Sequence, residues 1–356
     1  MLPMLKLRRI VLLAAATFAL CANAQEEKPV VSAGDPSVSL KIDTRLDGSV
    51  NTYHSDAEGI ATPDTKAGFE GTYLKLIVNG RINDKFSYSF RHRLYKDNGN
   101  PKSFFNSTDW VNLTYSPDDR YSLTVGKQVV LVGTCEYDYA PIDVYFASYY
   151  WNHCNPYQIG VNMGYRIGDG NQLYLQMTNS PYSTESLENM FAYNLMWYGT
   201  VAPWFKTKYS VNMMEYAKGR YINYLALGHQ FNFDRVSVDF DWMNRYVGHH
   251  TSFFKDFTVS SKIDVRVGNR FNVFAKGGYD QNKAQNKYTD APLDTYVLPG
   301  TSRGFWGCGV EYSPIVDRRN KVRFHAYWHS STDDTPGYNT FTVGVRWQMD
   351  VFDLKF

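Results

Sequence analysis

Beyond residue 24 the sequence has no apolar run approaching the ~18 residues that a membrane-crossing helix needs, so a helical membrane protein is excluded. An excess of one charge sign is also missing. Lys and Arg number 37 and Asp and Glu 35, a formal net charge of +2 that is too near neutral to mark nucleic acid as a partner. Cysteine (4) and proline (14) are sparse, whereas Tyr (28), Phe (22) and Trp (8) are abundant. So many aromatics need burial in protein or in lipid, which excludes a disordered chain. Helical spacing is hard to find anywhere after Val38.

The first 24 residues stand apart. Lys6, Arg8 and Arg9 precede an apolar stretch from Ile10 to Leu20, and Ala22-Asn23-Ala24 forms a small-x-small site before Gln25. This is the order of a secretory signal peptide, so residues 1–24 are expected to be removed and residues 25–356 to form one exported domain. The apolar run is too short for a membrane anchor, and Leu20 before Cys21 is too bulky for lipid attachment at that cysteine.

The rest of the chain alternates. Leu40, Ile42 and Leu46 alternate with Lys41, Asp43, Arg45 and Asp47; Phe86, Tyr88 and Phe90 with Ser87, Ser89, Arg91 and Arg93. The same period of two runs through 157–167, 236–242, 259–267 and 341–348. Each segment reads as a strand of roughly ten residues with one apolar and one polar face. Strands of soluble sandwiches run to about five or six residues, whereas membrane-spanning strands need about 9–11. The polar faces carry repeated charge, as a water-filled lumen requires. Aromatics near strand ends, such as Tyr115, Tyr121, Tyr165, Trp204, Tyr246 and Trp347, fit an interfacial girdle. In lipid an all-β chain has to close on itself. The expected fold is therefore an all-β, transmembrane antiparallel β-barrel in contact with outer-membrane lipid.

Turn residues set the strand count. Short connections are expected at Asn83-Asp84, Ser116–Arg120, Gly168–Asn171, Gly199–Pro203, Asn232–Arg235, Gly268–Arg270 and Ser313–Lys321. Mostly longer links are expected near 52–67, 96–108, 128–156, 179–190, 214–218, 244–253, 281–303 and 331–339. Together they join 16 strands, with 18 as the alternative. The segments near 191–198 and 219–231 are harder to orient, because both of their faces are mixed. Apolar parity shifts after Met349, so that Phe352, Leu354 and Phe356 fall on the other register. Either a bulge intervenes or the last strand stops near Met349 and a short tail follows; the tail is the expectation.

Several stretches resemble a known family. Phe69–Leu94, FEGTYLKLIVNGRINDKFSYSFRHRL, is similar to the first hairpin of phosphate-selective porins of the O/P type. Leu123–Pro141, LTVGKQVVLVGTCEYDYAP, is similar to their strand leading into the third loop. Tyr312-Ser313-Pro314, Val322–Ala326 and Gly344–Trp347 (GVRW) resemble their last strands. The resemblance covers most of the chain past the export segment. It implies a 16-stranded homotrimer in the bacterial outer membrane that passes small anions. Phe356 resembles the terminal aromatic signal of outer-membrane proteins, which implies the barrel-assembly machinery as a partner during biogenesis.

The 128–156 link is the third external loop, the one that folds into the pore in porins. Tyr137, Tyr139, Tyr145, Phe146, Tyr149, Tyr150 and Trp151 give it an apolar body able to pack on the inner wall. Its acids, Glu136, Asp138 and Asp143, are expected at a constriction, and it contains no Lys or Arg. An outward-projecting loop is the alternative. Without the export segment three cysteines remain, in an oxidising compartment. Cys135 and Cys154 lie at the two ends of this loop, so a disulfide between them is expected. Such a bridge contributes about 3 kcal/mol in the chain-entropy model; two separate buried thiols are the alternative.

Thirteen bases fall on the polar face: Lys41, Arg45, Lys75, Arg91, Arg93 and Arg323, with Arg166, Lys206, Lys208, Lys262, Arg266, Lys276 and Arg346. Seven acids share it: Asp43, Asp47, Asp239, Asp241, Asp264, Asp280 and Glu311. An excess of bases raises local anion concentration in a narrow low-dielectric pore, with Lys41, Arg45, Lys75, Arg91, Arg93 and Arg323 as the positive wall. The acidic third loop opposes it and carries no ladder of arginines. The expectation is a diffusion porin for small solutes with a modest preference for anions, phosphate among them. Catalytic readings find little support. No Gly-x-Ser-x-Gly elbow occurs, and His249-His250 or the His325/His329 strand pair does not make a metal-binding spacing. No cofactor, metal or enzymatic activity is expected. A plugged or adhesive barrel, or a barrel-embedded lipid hydrolase, stays open as an alternative.

Overall fold

The computed structural model describes residues 36–55, 62–183, 188–247, 254–283, 297–319, 321–332 and 338–356. The expected export segment and the His249-His250 pair lie outside the described residues.

Antiparallel strands follow one another in chain order. The first eight are β1 (Ser37–Ser55), β2 (Thr62–Arg81), β3 (Phe86–Arg93), β4 (Thr108–Tyr115), β5 (Tyr121–Val129), β6 (Tyr157–Arg166), β7 (Gln172–Asn179) and β8 (Phe191–Ala202). The second eight are β9 (Phe205–Ala217), β10 (Arg220–Phe233), β11 (Val236–Val247), β12 (Asp256–Val267), β13 (Phe271–Asn282), β14 (Ser302–Tyr312), β15 (Val322–Ser331) and β16 (Tyr338–Lys355). Each strand pairs with its sequence neighbours and β1 pairs with β16, so the sheet is a closed 16-stranded barrel. Closure removes the sheet edges that lipid cannot satisfy.

The alternation decides which way each face points. Phe341 (51% exposed) and Val343 (47%) face outward on β16, while Thr342 and Arg346 between and beyond them are buried. A slip of one residue would move every apolar side chain into the lumen, so the pattern pins the register. Cross-strand aromatic pairs ring the short-turn end of the barrel. Phe86 meets Tyr115, Tyr121 meets Tyr165, Phe205 meets Phe231 and Phe271 meets Tyr312, with ring centroids 4.8–5.0 Å apart. These rings form the girdle expected where a barrel wall leaves the hydrocarbon.

A short turn joins each of the seven strand pairs expected, but Gly199–Ala202 belong to β8 and Asn232-Phe233 to β10, which leaves Pro203-Trp204 and Asp234-Arg235 as those two turns. Two further expectations need correction. The link near 214–218 is only the Lys218-Gly219 turn, because β9 and β10 extend further than their mixed pattern suggests, and Gly219 (φ 73°) supplies the left-handed turn residue. The last strand does not stop near Met349 with a free tail. It runs to Lys355, with Leu40 opposite Phe352 and Lys41 opposite Asp350, so Val351 is the extra residue of a bulge. That bulge resets the parity and returns Phe352, Leu354 and Phe356 to the outer surface, where all three are exposed.

Candidate functional site

The link between β5 and β6 is compact. It contains helix α2 (Cys135–Asp138) and helix α3 (Tyr149–His153), following the earlier α1 (Pro101–Ser107) between β3 and β4. The Thr134 hydroxyl caps α2 by accepting the Tyr137 N–H (3.2 Å), and the Ser148 hydroxyl caps α3 by accepting the Trp151 N–H (3.2 Å).

This link meets the barrel through the face that carries the charges. The Leu131 N–H donates to Gln176 Oε1 on β7 (2.9 Å), and Asn212 Nδ2 on β9 donates to the Leu131 carbonyl (2.6 Å). The N–H groups of Cys135 (2.6 Å) and Glu136 (2.8 Å) both donate to the Asp241 carboxylate on β11. Further along, the Tyr149 N–H donates to Asp280 on β13 (2.7 Å) and the Tyr145 hydroxyl to Glu311 on β14 (2.7 Å). Two glycines permit the close approach. A Cβ on Gly133 would lie 2.6 Å from the Ser210 nitrogen, and one on Gly228 would lie 2.9 Å from the Cys135 nitrogen.

Apolar packing follows the same route. Val130, Val132, Tyr137 and Tyr150 cluster with Tyr182, Tyr224 and Met243, while Phe146 packs with Phe274, Phe305 and Tyr327. Leu131 packs with Tyr174 and Met196. This explains the mixed patterns on β8 and β10: Ala192, Met196, Tyr224 and Ala226 share a face with polar lumen residues but pack against the link or its neighbours.

Every loop acid has a basic partner on the wall. Glu136 pairs with Lys276 (2.6 Å), Asp138 with Lys208, and Asp143 with both Arg323 and Arg346 (2.6 Å to the latter). Burial pushes the Asp143 carboxyl up, but the two guanidiniums outweigh it and hold the group down at about 2.

The six bases expected as one wall are distributed differently. Arg45 pairs with Asp47 (2.8 Å) and donates to the Ile142 carbonyl (3.3 Å). Arg323 lies on β15, whose Tyr327 accepts from Arg45 (3.2 Å), and pairs with Asp143 and Glu311. Lys41 lies toward the chain-terminal mouth, opposite Asp350, in a cavity shared with Arg318, Lys321 and Gln348. Lys75, Arg91 and Arg93 do converge, on Asp109, at 3.9, 2.7 and 2.8 Å. Asp109 escapes strict alternation, because Val111 and Leu113 on its side of β4 face outward. Arg91 pairs with Trp110 and His92 with Thr108, so Asp109 is the extra residue of a bulge. No sequence signal marks that bulge. The buried Arg245–Asp256 pair (2.8 Å) was hidden for another reason: β11 continues past the expected start of its loop.

The expected disulfide is not formed; Cys135 and Cys154 are separate thiols. Cys135 is drawn to Asp241 by its backbone, whereas Cys154 packs with the tyrosine cluster and donates to the Trp151 carbonyl (3.5 Å). The two ends of the link are thus anchored in different surroundings. His325 and His329 share a face, but His325 bonds to Asp47 (2.7 Å) and His329 stacks on Phe146. Among the described residues no group of three or more potential ligands is arranged for a metal.

A closed barrel with an apolar exterior, an aromatic girdle and a charged interior defines an outer-membrane porin, which passes small hydrophilic solutes by diffusion. The chain belongs to the phosphate-selective porin O and P family, whose model matches residues 45–350. It is a protein of the bacterial outer membrane. Similar solved structures include the outer-membrane channel DcaP of Acinetobacter baumannii, with TM-score 0.60 and 13% identity, covering 92% of this chain and 100% of that one. Outer-membrane-expressed OmpT of Vibrio cholerae has TM-score 0.58 and 11% identity, covering 89% and 99%. An anion-selective porin from Comamonas acidovorans has TM-score 0.58 and 9% identity, covering 88% and 100%. At these identities the likeness is one of fold. No curated protein matches the sequence.

Proposed function

We propose that this porin favours small anions modestly, phosphate among them, and that residues 130–156 form its constriction. The observation that carries this reading is the segregation of charge. The loop acids Glu136, Asp138 and Asp143 are neutralised by Lys208, Lys276, Arg323 and Arg346, while Lys75, Arg91 and Arg93 converge around Asp109 on β2–β4. The opposing field expected from an acidic loop is therefore spent on its own anchors, and the basic cluster biases the remaining path. The charged lumen supports a channel rather than a hydrolase. A homotrimer is the proposed assembly; one of the similar structures is described as the trimer form of Vibrio cholerae OmpT.

Reversal potential in a KCl gradient tests the selectivity. The expected wild-type result is a modest anion preference that Arg91→Gln with Arg93→Gln reduces. Cation preference that this pair leaves unchanged overturns the reading.

A further inference from the structure

The Asp109 carboxylate is surrounded by three bases. It is 1% exposed and sits among Lys75 and Arg91, which are nearly as buried, and Arg93, whose side chain is 25% exposed. The cluster is held in shape without help from a solute. The Arg91 guanidinium lies over the Trp110 ring (3.6 Å to the centroid) and donates to the Tyr157 hydroxyl (2.7 Å). Guanidiniums recognise carboxylate and phosphate oxygens by the same charge-assisted geometry. A fixed carboxylate in such a seat is a tethered copy of the ligand.

We propose that Asp109 is a specificity-determining residue, an internal oxyanion that keeps the Lys75–Arg91–Arg93 seat filled and so prevents small oxyanions from being trapped there. Solutes then pass the cluster under its field without a deep binding step. Conduction needs binding strong enough to admit an ion and weak enough to release it. The bulge in β4 is what delivers this carboxylate, since regular alternation would turn residue 109 away. The inference rests on reading the lumen as an anion path.

The test uses the full-length channel in planar bilayers in KCl, with inorganic phosphate or formate titrated in. Asp109→Ala empties the seat, and a saturable block by at least one of the two anions is expected, at a half-blocking concentration at least roughly tenfold below wild type, about the worth of one charged hydrogen bond. Asp109→Asn removes the charge but keeps the seat filled; it is expected to raise anion preference without saturable block. Asp264→Ala removes a lumen acid beside Lys262 (2.9 Å) and serves as the field control. Absence of block by either anion in Asp109→Ala overturns the proposal, and so does equal block in all three variants. Should Asp109→Ala assemble poorly, refolding into detergent with added formate becomes the readout: restored assembly supports the seat, and no restoration overturns it. A cation-preferring wild type whose Asp109→Ala variant is blocked removes the anion-preference reading and leaves the seat standing. An anion-preferring wild type with no block in that variant does the reverse.

Discussion

Arg346 on the last strand donates a 2.6 Å hydrogen bond to Asp143 on the link between β5 and β6, joining positions 203 residues apart. Arg323 donates to the same carboxylate oxygen, so two strands hold one loop acid. This contact has a defined pH range. The Asp143 carboxyl titrates at about 2, below its ordinary 3.8, so the stabilisation is fully present above about pH 4 and is lost as pH falls toward 2. Single-channel current is therefore expected to be insensitive to this contact from pH 7 to about 4. Asp143→Asn at neutral pH weakens the anchor by roughly 1.5–3 kcal/mol and is expected to add current flicker. Wild-type noise in that variant counts against the anchoring role.

Gly228 provides a test of the link that leaves the barrel wall intact. A side chain at this position would press on the Thr134–Cys135 backbone and on Asp241. Gly228→Val is expected to push the link from β10 and β11 at a cost of about 1–3 kcal/mol. Assembly should persist, and single-channel conductance should shift. Unchanged conductance in a correctly folded variant would show that the link does not bear on the pore.

Deletion of Val351 probes the last strand. Without the bulge residue, Asp350 and Phe352 become consecutive and keep Lys41 and Leu40 as partners, so Phe352, Leu354 and Phe356 stay on the outer face. That deletion is expected to assemble, whereas deletion of Asp353 turns Leu354 and Phe356 to the other face and is expected to lower the folded barrel in the outer-membrane fraction. Equal assembly of the two deletions would mean that the C-terminal face does not matter.

The cysteines give a chemical prediction. Burial raises both the Cys135 and the Cys154 thiol well above the ordinary value, keeping them protonated and poorly nucleophilic at pH 8. Mass mapping under non-reducing conditions should find two thiols that a water-soluble maleimide labels slowly. A Cys135–Cys154 linked peptide would contradict this arrangement.

The charge seat and the loop anchors differ in how visible they were beforehand. Arg91 and Arg93 are legible as lumen residues because Phe86, Tyr88 and Phe90 establish their parity. Asp109 is not, since a bulge is a local departure from the pattern that reveals a strand. The Leu131 to Tyr149 anchors join residues whose pairing depends on which strands the link lies against, which periodicity does not encode. The inner faces of β8 and β10 were ambiguous for the same reason: Met196 and Tyr224 answer to packing partners elsewhere in the chain rather than to lumen water.

The sequence by itself determined the closed barrel, its 16 strands, the seven short turns and the facing of most charged residues. A period of two and the avoidance of unpaired backbone in lipid are local and cumulative constraints, repeated in every strand. Only the tertiary structure decided the Val351 and Asp109 bulges, the separation of Cys135 from Cys154, and the pairing of loop acids with Lys208, Lys276, Arg323 and Arg346. Those outcomes depend on distances between strands remote in sequence, where one shifted residue reverses which charges meet.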